Sequence, residues 1–83
     1  MTLTRGQLVR SKAGRDKDSF LAIIKLEPPF ALVCDGKVRP LQRPKRKKLM
    51  HLAPTVLVLP EECLATNRKL RAALREAQAQ RKE

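Results

Sequence analysis

Five cations fall within six residues in the run Arg43-Pro44-Lys45-Arg46-Lys47-Lys48, followed at once by Leu49, Met50 and His51. Lysine and arginine at this density supply the chemistry of a polyphosphate-binding surface. Each one that meets a phosphate releases condensed counterions, which favours binding whatever the base sequence. Other residues that carry chemistry are sparse. His51 is the single histidine and has no partner at an identifiable spacing. Cys34 and Cys63 are the only cysteines, so Cys and His alone cannot assemble a four-ligand zinc site. Neither cysteine lies in an activating motif and there is no glycine-rich P-loop. Asp16 and Asp18 are paired carboxylates, but with cations on either side they read as loop charges. The chain is therefore expected not to be an enzyme and to need no metal or cofactor.

Composition sharpens the electrostatic reading. The 83 residues carry 19 Lys+Arg against 8 Asp+Glu, a formal charge of +11. A surplus of this size predicts an anionic partner. Residues 1–55 hold 13 cations and 4 anions, whereas residues 56–83 hold 6 and 4, so the first part carries the charge. With no Trp or Tyr and only Phe20 and Phe30, recognition by stacking several bases on aromatic rings is disfavoured. The expected mode is contact with the backbone and shape of structured nucleic acid. A peripheral membrane role is disfavoured by the absence of Trp, no apolar run is long enough to cross a bilayer, and no signal peptide is expected. Cys34 sits in an apolar run and reads as a small core residue in a reduced, cytoplasmic protein.

The elements that must position these residues follow from pattern and punctuation. Gln7–Ser11 reads as a strand, 12–18 as a polar connection, and Ser19–Leu26 as a second strand. One face of that strand would carry Phe20, Ala22, Ile24 and Leu26, the other Leu21, Ile23 and Lys25. Pro28-Pro29 breaks it, and Phe30–Cys34 is a third strand. Asp35-Gly36 suits a two-residue hairpin loop, predicting a fourth strand over Lys37-Val38-Arg39 that Pro40 stops. Arg43–Lys48 is then a basic loop, Leu49–Thr55 re-enters the core, and Val56–Leu59 closes the sheet. Short, locally connected strands predict a mostly β fold, a small barrel over residues 1–59. In the tail, residues 60–83, Pro60-Glu61-Glu62 can open a helical turn and Thr66-Asn67 can cap a helix. Leu70, Ala73, Leu74 and Ala77 form one thin apolar stripe, which either docks on the barrel or orders on a partner. Gln78–Glu83 is expected to fray.

The segment Gly6–Lys17 followed by the apolar strand Phe20–Leu26 resembles a KOW motif, with Gly14 as its key glycine. Adding Cys34–Leu41 (CDGKVRPL), Pro44–Lys48 (PKRKK) and His51–Thr55 (HLAPT), the chain is similar to bacterial KOW-domain proteins related to archaeal and eukaryotic large-subunit ribosomal proteins. Relatives often have Gly where this chain has Asp18. The resemblance spans about residues 5–55 and implies an SH3-like (KOW) barrel, here with a C-terminal α-helix, that binds RNA, with ribosomal RNA the leading candidate.

On this reading the RNA-binding residues are Lys12, Arg15, Lys17, Lys37, Arg39, Arg43, Lys45, Arg46, Lys47, Lys48 and His51. Lys37 and Arg39 would share one strand face that continues into the basic run. Gly14 and Gly36 serve turns, and Arg68, Arg71 and Arg75 form a second basic surface or an ordinary solvated helix face. The expected protein is monomeric when free and docks on structured RNA in ribosome structure, assembly or translation, with ribosomal proteins as further partners. The alternative is a KOW protein-interaction module of the transcription or translation machinery, which would use the stripe Leu70/Leu74.

Overall fold

The structure, a computed structural model, describes residues 3–80. Of the expected frayed end, Gln78, Ala79 and Gln80 instead continue the C-terminal helix, and Arg81, Lys82 and Glu83 lie outside the described residues. The elements in order are β1 (Gln7–Ser11), β2 (Phe20–Glu27), β3 (Phe30–Cys34), β4 (Lys45–Lys48), a 3-10 turn (Leu49–His51), β5 (Leu52–Val58), a second 3-10 turn (Glu61–Leu64) and α1 (Asn67–Gln80). The strands form one antiparallel sheet in the order β4-β3-β2-β1-β5. The fold is mostly β and barrel-like, with a C-terminal helix. No described helix is long and apolar enough to cross a membrane.

Each face of the sheet contributes to a buried cluster, because the strand period of two divides its apolar residues into two sets. Val9, Leu21, Ile23, Ala31, Val33 and Leu52 fill one side. Leu8, Ala22 and Cys34 point the other way and meet Leu59, Leu64 and the helix residues Leu70, Leu74 and Ala77. The tail stripe thus docks on its own sheet. Leu70 is fully buried and Leu74 is 3% exposed, so this face is not available to a partner. Thr66 caps the helix: its Oγ1 accepts the Lys69 N–H at 3.1 Å.

Three expectations are corrected. Leu26 packs with Leu21 and Ile23, not with Phe20, Ala22 and Ile24. A β-bulge between Ile23 and Lys25 shifts the register against β3, and the extra residue turns the rest of the strand over. Lys37–Arg39 is not a strand. Asp35 Oδ1 accepts the N–H groups of Lys37 (2.8 Å) and Arg39 (2.9 Å), which a returning strand would have offered to β3. A loop over 35–44 results. The partner of β3 is then the basic run itself, since Lys45–Lys48 is an edge strand rather than a loop, paired from Val33↔Lys45 to Phe30↔Lys48.

Candidate nucleic-acid interface

Pairing as a strand divides the basic run. Alternate residues of β4 face opposite sides, so the five cations do not make one stripe. Arg46 lies over the Phe30 ring, 4.1 Å from its centroid, and Lys48 is exposed on the same side. Lys45 and Lys47 face the other way. Lys47, expected on the RNA face, is only 7% exposed. Its Nζ donates to Asp16 Oδ1 and to the Ala13 carbonyl, both at 2.8 Å, and ties β4 to the loop between β1 and β2. Burial opposes the charge on Asp16, but hydrogen bonds from Lys47 and Ser11 and the Lys47 charge outweigh it and hold the carboxyl below its ordinary range.

The same loop explains Gly14, which has φ +88°. A Cβ there would lie 3.3 Å from Lys47 Nζ, so the glycine keeps the ion pair accessible to its loop. Asp18 also takes positive φ, +72°. It adopts the conformation that a glycine would adopt more cheaply, and its carboxylate holds Arg10 at 2.7 Å. With Asp16 engaged by Lys47 and Asp18 by Arg10, Arg15 and Lys17 are exposed and have no acidic partner within ion-pair distance among the described residues.

The loop over 35–44 does the gathering. Asn67 at the helix start accepts the Leu41 N–H (2.6 Å) and donates to Gln42 Oε1 (2.7 Å). Gly36, φ +79°, lets the loop press against the helix, since a Cβ there would sit 2.5 Å from the Asn67 carbonyl oxygen. This contact brings the helix cations Arg71 and Arg75 beside Lys37 in one cleft. A second hollow, holding Arg15, Arg39 and Lys45, shares Ser19 and Asp35 with the first. A third contains Arg43 and shares Lys37 with the first and Val38 and Arg39 with the second. The three hollows adjoin through these shared residues and together make a groove around the loop, lined by seven cations, Arg15, Lys37, Arg39, Arg43, Lys45, Arg71 and Arg75, and by the carboxylates of Asp16 and Asp35.

The remaining candidates lie outside this groove. Lys12 and Lys17 are exposed on the connection after β1. His51 is half-buried, and its carbonyl accepts the Lys12 N–H at 2.8 Å, joining the start of β5 to the end of β1. Arg68 is exposed on α1. Sequence reasoning missed Asp35 as the organiser of the loop, although an aspartate two and four positions before amides it can accept from is a readable turn signal. It also missed Asn67 as the clip between helix and loop, a contact across 26 positions with no local signal.

Among the described residues the four ion pairs are Arg5–Glu61, Arg10–Asp18, Lys25–Glu27 and Lys47–Asp16. None involves a groove cation. Among those residues, no group of three or more His, Cys, Asp or Glu is placed to hold a metal ion. Compared with protein-family models and with curated proteins, the chain matches none.

Proposed function

We propose that the protein docks electrostatically on structured RNA through the groove around the loop over 35–44, with ribosomal RNA of the large subunit as its target in the cytoplasm. The observation that carries this reading is the excess of unpaired cations: seven cations against two carboxylates line the adjoining hollows, and none of the seven is neutralised by an ion pair among the described residues. The resemblance to KOW-domain ribosomal relatives supports RNA over other polyanions. Docking of this kind stabilises or helps assemble an RNA fold rather than reading a sequence. Neutralising about six phosphates gives a slope of log affinity against log salt of roughly −4 to −6.

The test is co-sedimentation with ribosomal subunits at low and high salt, using two variants of equal formal charge. One changes Lys37, Arg43, Arg71 and Arg75 to Ala. The other changes Arg46, Lys48, Arg68 and Lys69 to Ala. Salt-sensitive migration with the large subunit, lost in the first variant and largely kept in the second, supports the reading. Equal loss in both variants would mean diffuse charge rather than a groove. A wild-type protein that stays at the top of the gradient at both salts excludes the ribosome.

The protein-interaction alternative loses the stripe Leu70/Leu74 to the internal core and rests on another surface. Strand β5 is at the edge of the sheet and leaves Val56 94% and Val58 49% exposed. An exposed apolar edge can template a partner strand, and such binding would depend weakly on salt.

A further inference from the structure

We infer that the recess in the middle of the groove holds one unpaired nucleotide of the bound RNA, its base against Val38 and its phosphate on Arg15, Arg39 and Lys45. This rests on the RNA reading above and adds a recognition element to it. The recess has a volume of about 350 Å³, within the range of pockets that take small ligands. It is concave, so the outer backbone of an A-form duplex can ride over its rim but cannot fill it. A base splayed out of a bulge or loop can, and unpaired bases are where proteins read RNA.

The lining matches a nucleotide in three respects. Arg15, Arg39 and Lys45 supply the phosphate contacts, and a guanidinium plane also packs on a base face. Val38 supplies an apolar surface. It stands 71% exposed between two cations, on a loop whose path is fixed by Asp35 and not by burial of this side chain. Leu21, 1% exposed, lies beneath as rigid core. Finally, the carboxylates of Asp16 and Asp35 line the same recess, and the Asp16 side chain is 20% exposed. Ionised carboxylates only accept, so the base edge that fits presents N–H donors. Guanine, with adjacent N1–H and N2–H₂ groups, fits better than uracil, whose single N–H is flanked by two carbonyl oxygens. One base is accommodated, not a stacked series, in keeping with a chain that has two aromatic residues.

The test uses fluorescence anisotropy of the full chain with three RNA hairpins that differ at one position: fully paired, with a bulged guanosine, or with a bulged uridine. The guanosine bulge should bind about tenfold more tightly than the paired hairpin, with the uridine bulge between them. Val38→Ser, at an exposed position, should bring the ratio of bulged to paired affinity close to one. Equal affinity of the wild type for all three hairpins overturns the nucleotide site and leaves the groove reading intact. Failure to bind any hairpin overturns the groove reading itself. A guanosine preference that survives Val38→Ser removes the base from the proposed surface, and equal binding of the two bulges removes the carboxylates from its recognition.

Discussion

Changing Lys47 to Met separates stability from binding. The side chain is 7% exposed, and its ammonium donates to Asp16 Oδ1 and the Ala13 carbonyl at 2.8 Å. Methionine keeps the length and apolar stem but removes the charge. The Asp16 carboxylate, 20% exposed, then keeps only the Ser11 hydroxyl among its side-chain partners, at 3.0 Å. Stripping one partner from a buried ion pair costs about 3–5 kcal/mol. The partial exposure of Asp16 and the apolar contacts that Met retains bring the expected loss to about 2–3 kcal/mol, from the same range. A domain this small has roughly 4–12 kcal/mol of stability in total, and each kcal/mol moves Tm by about 4–8 °C. Lys47→Met should therefore melt roughly 10–20 °C lower, measured by circular dichroism and urea titration. Lys48→Met, at an exposed position on the opposite side of the strand, should stay within about 0.5 kcal/mol of wild type. The double variant Asp16→Asn/Lys47→Met should lose at least about 1 kcal/mol less than the sum of the two singles. At a temperature where it remains folded, Lys47→Met should bind RNA nearly as well as wild type. A variant that melts within about 2 °C of wild type while losing RNA affinity would show that Lys47 is a binding residue and that the buried pair does not tie β4 to the loop between β1 and β2.

Other consequences follow from the same geometry. Gly36→Ala forces a Cβ to within 2.5 Å of the Asn67 carbonyl at φ +79°, and should cost about 2 kcal/mol or more; because this contact seats the helix beside Lys37, RNA affinity should fall even at temperatures where the variant is folded, and unchanged stability would refute the contact. Cys34 is fully buried, and burial, with a smaller contribution from the Asp35 charge, pushes its thiol up to about 11. At pH 8 iodoacetamide should therefore label Cys63 rapidly and Cys34 only on unfolding, with equal labelling rates the contrary result in mass spectrometry. The lowered Asp16 carboxyl contributes stability that is fully present above the unfolded carboxylate value near 4 and is lost as pH falls through the lower folded value. Urea midpoints should be flat from about pH 7 to 5 and drop below about 4, less steeply in Lys47→Met; an identical acid decline in both proteins would remove the pair as its cause.

Where local physics decides, the sequence was readable. β1 and β3 have the expected boundaries because each is a short segment with an apolar centre bounded by turn residues, Gly6 before β1, and Pro28-Pro29 and Asp35-Gly36 on either side of β3. The helix cap at Thr66 likewise needs only neighbours. The basic run was not readable as a strand, since four consecutive cations have poor β-propensity and nothing local says that one will be buried. Its reason is Asp16, 31 positions away, which neutralises Lys47 in the observed register. The Asp35-Gly36 hairpin signal failed for a related reason: the aspartate side chain competed for the amides that strand pairing required. The groove shows the limit most clearly. Lys37, Arg39 and Arg43 were expected in a binding surface, but their meeting with Arg71 and Arg75 depends on Gly36 and Asn67 holding the helix against the loop.

The separation of paired from unpaired cations bears on how such a charged chain can be both stable and ready to bind. A surplus of +11 on 83 residues repels itself, and pairing cations with the few available acids would relieve that wherever it occurred. Here Glu61 takes Arg5, Asp18 takes Arg10, Glu27 takes Lys25 and Asp16 takes Lys47, and among the described residues none of these pairs uses a groove cation. The groove therefore keeps its repulsion, including that of Arg71 and Arg75 one helical turn apart. That repulsion is a reservoir a polyanion relieves: a phosphate entering between these cations breaks none of the four ion pairs and removes an unfavourable interaction as it binds. The Lys47–Asp16 pair meanwhile fixes β4, and with it Lys45, without contributing its own charge. Sequence counting treats Lys45 and Lys47 as equivalent, whereas the fold gives one to the groove and the other to the core.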